Sequence, residues 1–154
     1  MWKWASHPHW TGAVPTRIQF TYWHKDALPA SGATSGSGWL FSYSWKVNDY
    51  WVPFVRAGWT DGGAGVLAER SLAGGFSRRL HHQDWITVGL GWNDPNEEVH
   101  GSGVSVETVL EASYLWQITA NTSLLGDVQF IADPALHPNT NSTWVAGLRM
   151  RIAL

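Results

Sequence analysis

Apolar and polar positions alternate with a period of two along most of the chain. The last segment, residues 144–154, shows this most clearly, because its even positions are all apolar and its odd positions are small or cationic, with Arg149 and Arg151 among them. Successive side chains of a β-strand point to opposite faces. The segment also has about the 9–11 residues that a tilted strand needs to cross a bilayer. The pattern therefore predicts a strand of a transmembrane β-barrel, with one apolar and one charged face.

Seven earlier segments repeat this pattern, and no segment has a helical period. The predicted strands are residues 16–24, 39–47, 51–60, 66–76, 86–92, 109–118, 124–131 and 144–154. Alternation in the fourth is too weak to assign its faces. Long loops follow the first, fifth and seventh strands and short connections follow the others, including an Asp61–Gly65 glycine turn. Barrels of the outer membrane have short periplasmic turns and longer external loops, so we expect an all-β, antiparallel transmembrane barrel with its C-terminus in the periplasm.

Composition supports one domain and excludes several classes of protein. We expect residues 1–15 to form an irregular segment and residues 16–154 to form the barrel domain. The chain has no cysteine and a net charge of −2, so neither a disulfide framework nor a nucleic-acid partner is expected. Its start lacks the apolar core of a signal peptide, so an outer-membrane location would require a processed chain or a longer one. Twelve tryptophans, many near strand ends, are typical of the aromatic girdles of membrane barrels.

The order of motifs resembles the carbohydrate-selective porin (OprB-type) family of Gram-negative bacteria. The resemblance covers about nine-tenths of the chain and includes the closing strand. The motifs that carry it are Phe20-Thr-Tyr-Trp-His24, Pro53-Phe-Val-Arg-Ala-Gly-Trp-Thr-Asp-Gly62, Val88-Gly-Leu-Gly-Trp-Asn-Asp-Pro-Asn96, Glu107-Thr-Val-Leu-Glu-Ala-Ser-Tyr-Leu-Trp-Gln117 and Asp127-Val-Gln-Phe-Ile131 with Pro134.

The resemblance implies an outer-membrane channel that admits sugars by diffusion through a lumen lined with charged and aromatic side chains. It also implies a sixteen-stranded barrel, of which this sequence looks like the C-terminal half. Family members commonly end in Phe, whereas this chain ends in Leu154. Leucine keeps the apolar pattern of the last strand but departs from the assembly signal.

The faces opposite the apolar ones collect the charged residues of the predicted strands. A charge on the lipid face costs a few kcal/mol at the bilayer midplane, so these side chains should point into the lumen. Guanidinium, carboxylate and amide groups there can hydrogen-bond sugar hydroxyls, and an aromatic ring can stack on a pyranose. The candidate substrate-binding residues are Arg56, Glu111, Arg149, Arg151, Asp127, Gln129, Trp23 and Lys46. Interior arginines and carboxylates could instead pair with one another simply to fill a narrow barrel.

Other polar motifs do not indicate a chemical site. His7-Pro-His9 and His81-His82 provide two imidazoles each, without cysteine or an evident third ligand, so we expect no metal site. Serine, histidine and aspartate are present without nucleophile-elbow spacing. We therefore expect neither a cofactor nor catalysis.

Three alternatives remain open at this point. The chain could be a soluble eight-stranded binding barrel or a lectin-like sandwich, with its apolar faces inward. It could close alone as a non-conducting structural barrel, because eight strands enclose only enough space for side chains to fill. An outer-membrane enzyme of lipid modification would need a catalytic cluster that the sequence lacks. The expected partners are membrane lipids, saccharides, and either a missing N-terminal half or other porin protomers.

Overall fold

The structure, a computed structural model, describes residues 16–27, 34–62, 65–80, 83–101, 103–137 and 139–153. The expected irregular segment 1–15, both histidine pairs and Leu154 lie outside these ranges. The described residues form eight strands: β1 Arg17–Lys25, β2 Gly36–Ser44, β3 Trp51–Asp61, β4 Ala68–Arg79, β5 Trp85–Pro95, β6 Glu107–Gln117, β7 Thr122–Ala132 and β8 Ser142–Ile152. One short helix, α1 Glu97–His100, lies between β5 and β6.

Each strand pairs antiparallel with its neighbours in sequence, so the sheet order is simply β1 to β8. This confirms the predicted all-β class and eight antiparallel strands. The described residues do not form a closed barrel, because β1 and β8 are the two edges of the sheet and no backbone pairing joins them. A barrel of sixteen strands, of which these would be half, stays a prediction. No helix among the described residues has the length and apolar character needed to span a membrane.

The register sorts the side chains of the sheet into an apolar face and a polar face. Directly opposite residues of an antiparallel pair share a face. One row of the apolar face accordingly runs Phe20, Phe41, Ala57, Leu72 and Trp92 across β1 to β5. A second row, on β5 to β8, is Leu90, Leu110, Phe130 and Trp144. The apolar face is therefore continuous from one edge of the sheet to the other.

The apolar face is exposed, and little hydrophobic core lies elsewhere. Among the described residues the buried hydrophobic side chains are Val52, Ala68 and Trp85. By contrast, Phe20 is 66% exposed, Leu90 is 56% exposed and Leu148 is 76% exposed. Exposed apolar patches of this extent mark surfaces that contact a partner or a membrane. The fold consequently presents its main hydrophobic surface outward.

Tryptophans border the apolar face at both ends of the strands. Trp39, Trp59, Trp92 and Trp144 lie at the end that carries the longer connections, here called the long-loop end. Trp45, Trp51 and Trp116 lie at the other end, here called the short-turn end. Trp59 lies eight residues after Trp51 in β3, which corresponds to about 26 Å at about 3.3 Å per residue. Tilting of the strand would bring this spacing to about 20 Å, close to the apolar band of a membrane barrel.

The structure assigns the faces of β4, which the sequence left open. Leu72, Gly74 and Phe76 lie on the apolar face, opposite Ala57, Val55 and Pro53 of β3. Within the predicted bounds the alternation is weak because Gly74 has no side chain and Arg70 lies on that face. Arg78, beyond the predicted end, lies on the same face at the short-turn end.

Several local assignments from the sequence are wrong. Strand β4 extends three residues past its predicted end at Phe76, to Arg79. Strand β2 ends at Ser44, so Lys46 lies in the turn that follows and not in a strand. The polar loop after β5 contains the one-turn helix α1, whose N-cap is Asn96. A helix of four residues is too short to produce a helical period in the sequence.

Candidate functional site

Four of the predicted site residues lie near the middle of the polar face, where Glu111, Asp127 and Gln129 are neighbours and the charge of Arg56 acts on Glu111 from β3: Arg56, Glu111, Asp127 and Gln129, here called the charged cluster. Glu111 on β6 lies directly opposite Gln129 on β7. The Gln129 side chain hydrogen-bonds the Glu111 carboxylate, and Asp127 places a second negative charge beside it. Arg56 reaches toward this group from β3, and its charge attracts that of Glu111 across β4 and β5.

Glycines on the two intervening strands make this approach possible. The row that contains Glu111 continues through Gly89 and Gly75 to Phe54 of β3. The Phe54 ring lies over both glycines, since a Cβ built on Gly75 would be 2.8 Å from Phe54 Cζ and one on Gly89 would be 3.3 Å away. The Arg56 guanidinium carbon lies 5.4 Å from the centroid of the same ring. The Phe54 ring therefore lies between the two glycines and Arg56, and it supports the Arg56 side chain on the polar face.

Asp127 has room on the polar face because its neighbour on β8 is a glycine. Asp127 pairs with Gly147, and a Cβ on Gly147 would lie 2.6 Å from Asp127 Oδ1. Arg149 and Arg151, two and four residues further along β8, lie opposite Leu125 and Ser123. They share the polar face with the cluster, as predicted, but they are exposed and closer to the short-turn end.

Trp23 borders a separate cavity near the long-loop end. Its ring covers Gly38 of β2, where a Cβ would meet ring carbons at 2.9 Å. The cavity has a volume of about 220 Å³, and the residues that line it are Trp23, Leu40, Gly58, Trp59, Thr60, Val66, Ala68 and Ser71. The Thr60 hydroxyl donates to the carbonyl oxygen of Ala68 at 2.9 Å. The cavity thus combines an aromatic wall with hydroxyl groups.

Lys46 lies apart from the other candidates. It forms an ion pair with Asp49 within the β2–β3 turn. The hydrogen bond from the Lys46 ammonium group, together with its positive charge, lowers the pKa of Asp49 below its ordinary value. A lowered carboxyl pKa means that this contact persists at neutral pH and is lost only as the pH falls through that value.

The connections at the long-loop end are tied together by side chains. Asn96 is 4% exposed, and its Nδ2 donates to the Gly62 carbonyl oxygen at 3.1 Å. Thr34 donates to Glu98 Oε2 at 3.0 Å, which joins the β1–β2 and β5–β6 connections. Glu107 accepts from the backbone N–H of Ala135 at 3.2 Å. These bonds therefore link the β1–β2, β3–β4 and β5–β6 connections to one another, and the β7–β8 connection to the start of β6.

The sequence did not identify Phe54, Gly75 and Gly89 as parts of the site. Their role depends on the register of β3, β4 and β5, which aligns an aromatic residue with two glycines on neighbouring strands. The only local signal was the position of Phe54, which lies on the same face of β3 as Arg56.

Comparison with known protein families identifies the family of this chain. Residues 14–154, nearly the whole chain, match the sequence model of the family described as "Carbohydrate-selective porin, OprB family". The chain belongs to this family. Neither a curated protein nor a solved structure matches it. The OprB family is one of transport channels and not of enzymes.

Proposed function

We propose that this OprB-family chain forms part of an outer-membrane channel through which carbohydrates diffuse passively. The observation that carries the proposal is the two-faced sheet, with an exposed apolar face bordered by tryptophans and a polar face that holds the charged cluster. A soluble binding barrel would instead turn its apolar face inward. The exposure of residues such as Phe20 and Leu148 favours contact with lipid.

The charged cluster is the proposed contact site for sugars. Arg56 provides hydrogen-bond donors, while the carboxylates of Glu111 and Asp127 provide acceptors. Gln129 provides both. Hydroxyl groups of a sugar both donate and accept, so such a mixed lining can replace several water molecules as the sugar passes. The half-buried Trp23 ring offers a flat apolar surface for the pyranose ring closer to the long-loop end.

Additional strands are proposed to complete the channel. Both faces of β8 are largely exposed, and its outer backbone edge is unpaired within the described residues, as is that of β1. Unpaired edges are unfavourable in lipid because nothing there satisfies backbone N–H and C=O groups. Pairing with further strands, to a total of sixteen, would satisfy them and leave the lumen wide enough for a sugar.

The test is sugar flux through liposomes that contain the purified channel. Neutral monosaccharides should enter and swell the liposomes, and Arg56→Ala or Glu111→Ala should alter both sugar flux and single-channel conductance. Either variant abolishes the attraction between Arg56 and Glu111 and changes the net charge of this part of the lumen, so we expect a severalfold effect.

Arg17→Ala is the matched control, because Arg17 lies on the polar face at the first position of β1, remote from the cluster. It should change flux and conductance little. Unchanged values after both cluster substitutions would exclude these residues from the narrow part of the lumen. A purified chain that stays soluble without detergent would contradict the membrane location itself.

A further inference from the structure

The two ends of the sheet carry opposite charge. At the short-turn end, basic side chains outnumber acidic ones: Arg17, Lys46, Arg78, Arg79 and Arg151 against Asp49 and Asp84. Asp84 is 9% exposed and already accepts from the Tyr114 hydroxyl. At the long-loop end the balance is reversed, with Asp94, Glu97 and Glu98 among the acidic residues. A basic rim therefore surrounds one end only.

One arginine of this rim lies on the apolar face itself. Arg78 is exposed and lies directly opposite Trp51, with its guanidinium carbon 5.1 Å from the centroid of the indole ring. The Trp51 ring also packs against Phe76, with a centroid separation of 5.0 Å. Among the described residues no carboxylate forms an ion pair with Arg78. Its charge is thus held at the border of the apolar face without an anionic partner from the sheet.

The arginine at the other end of β4 is placed differently. Arg70 lies on the same face, eight residues from Arg78, but forms an ion pair with Glu69 at 3.4 Å. Asp94 of β5 is directly opposite it. One carboxylate therefore pairs with Arg70, and a second lies opposite it on the neighbouring strand. Strand β4 thus carries one arginine with an ion-pair partner, Arg70, and one without such a partner among the described residues, Arg78.

We infer that Arg78 and Trp51 form a binding site for the phosphate of an anionic glycerophospholipid in the leaflet at the short-turn end. The inference rests on the proposed membrane location. A guanidinium group binds phosphate oxygens through paired N–H donors, and the aromatic ring holds it in position by a cation–π contact. The indole N–H is a second donor, and the neighbouring apolar residues contact the acyl chains. Charge complementarity selects an anionic lipid, because the basic rim attracts its net negative charge.

The test is native mass spectrometry of the whole chain, refolded in a non-ionic detergent and titrated with phosphatidylglycerol or phosphatidylcholine. The wild-type chain should bind phosphatidylglycerol more tightly. Arg78→Gln should weaken that binding about fivefold, the factor expected for losing one basic residue near an anionic surface. Arg70→Gln is the matched control and should leave binding unchanged.

Other outcomes would overturn either the lipid site or the membrane location on which it rests. Retained phosphatidylglycerol affinity in Arg78→Gln, or an equal loss in Arg70→Gln, would overturn the site. Displacement of the lipid by millimolar inorganic phosphate would overturn its assignment to a lipid headgroup. A wild-type chain that needs no detergent and binds neither lipid would instead refute the membrane location. The two failures are therefore distinguishable.

Discussion

Gly75 shows how a single residue shapes the polar face. A Cβ at this position would contact the carbonyl oxygen of Val88 and lie 2.7 Å from the Cα of Gly89. It would also meet the ring of Phe54, the side chain that lies beside Arg56. The backbone atoms cannot move without disturbing the pairing of β4 with β5. The position of the Arg56 guanidinium therefore depends on the absence of a side chain two strands away from Glu111.

Gly75→Ala should consequently destabilise the chain by about 1–3 kcal/mol, the usual cost of forcing an extra carbon into a packed site. Denaturant unfolding of detergent-refolded protein measures the loss. Gly126→Ala is the control, because a Cβ on Gly126 of β7 meets nothing within 4 Å. It should leave stability unchanged or raise it slightly. Equal destabilisation by both substitutions would show that crowding at Gly75 is not the cause.

Which site residues share a face could be deduced from the sequence, but which of them meet could not. Alternation alone placed Arg56, Glu111, Asp127 and Gln129 on polar faces, and the register confirms that placement. Their mutual positions depend on strand pairing, which a period of two does not specify. The contribution of these residues to sugar binding remains a prediction.

At the scale of elements, strands whose large apolar residues alternate with small polar ones were the easiest to predict. Strand β6 begins and ends within two residues of its predicted bounds. Strand β4 was harder, because glycine carries no hydropathy signal at Gly74 and Gly75 and because Arg70 and Arg78 interrupt the apolar side. Arginine is compatible with that face only at the ends of the strand, where its charge reaches the membrane–water interface.

The β4–β5 connection is attached to β6 by one carboxylate. Asp84 accepts hydrogen bonds from the Tyr114 hydroxyl at 2.8 Å and from the Gln117 backbone N–H at 2.9 Å. Asp84→Ala should cost about 1–3 kcal/mol, because it leaves a partly buried N–H without its acceptor. Tyr114→Phe removes only the hydroxyl bond and should cost less. Denaturant midpoints of the two variants test this order, and a larger loss in Tyr114→Phe would contradict it.

At the scale of the whole molecule, the open sheet and the side chains of its polar face both indicate that β1 and β8 do not pair with each other. If β8 paired with β1 of the same chain, the eight-stranded interior would have to hold the charged cluster together with Phe54, Trp23 and the arginines of β8. Such an interior has room only for side chains in close contact. A larger perimeter leaves water beside these groups, as a conduit for sugars requires. The edges should therefore pair with strands other than each other.

Engineered cysteines can test this expectation directly, because the chain contains none. Thr21→Cys on β1 and Val145→Cys on β8 place one thiol on the polar side of each edge. Ala112→Cys with Val128→Cys, directly opposite on β6 and β7, is the positive control. After oxidation of the refolded channel, the control pair should form an intrachain disulfide and the edge pair should not. Interchain disulfides would identify a second copy as the source of the added strands, whereas efficient intrachain cross-linking of the edges would demonstrate an eight-stranded closed barrel and refute the wider channel.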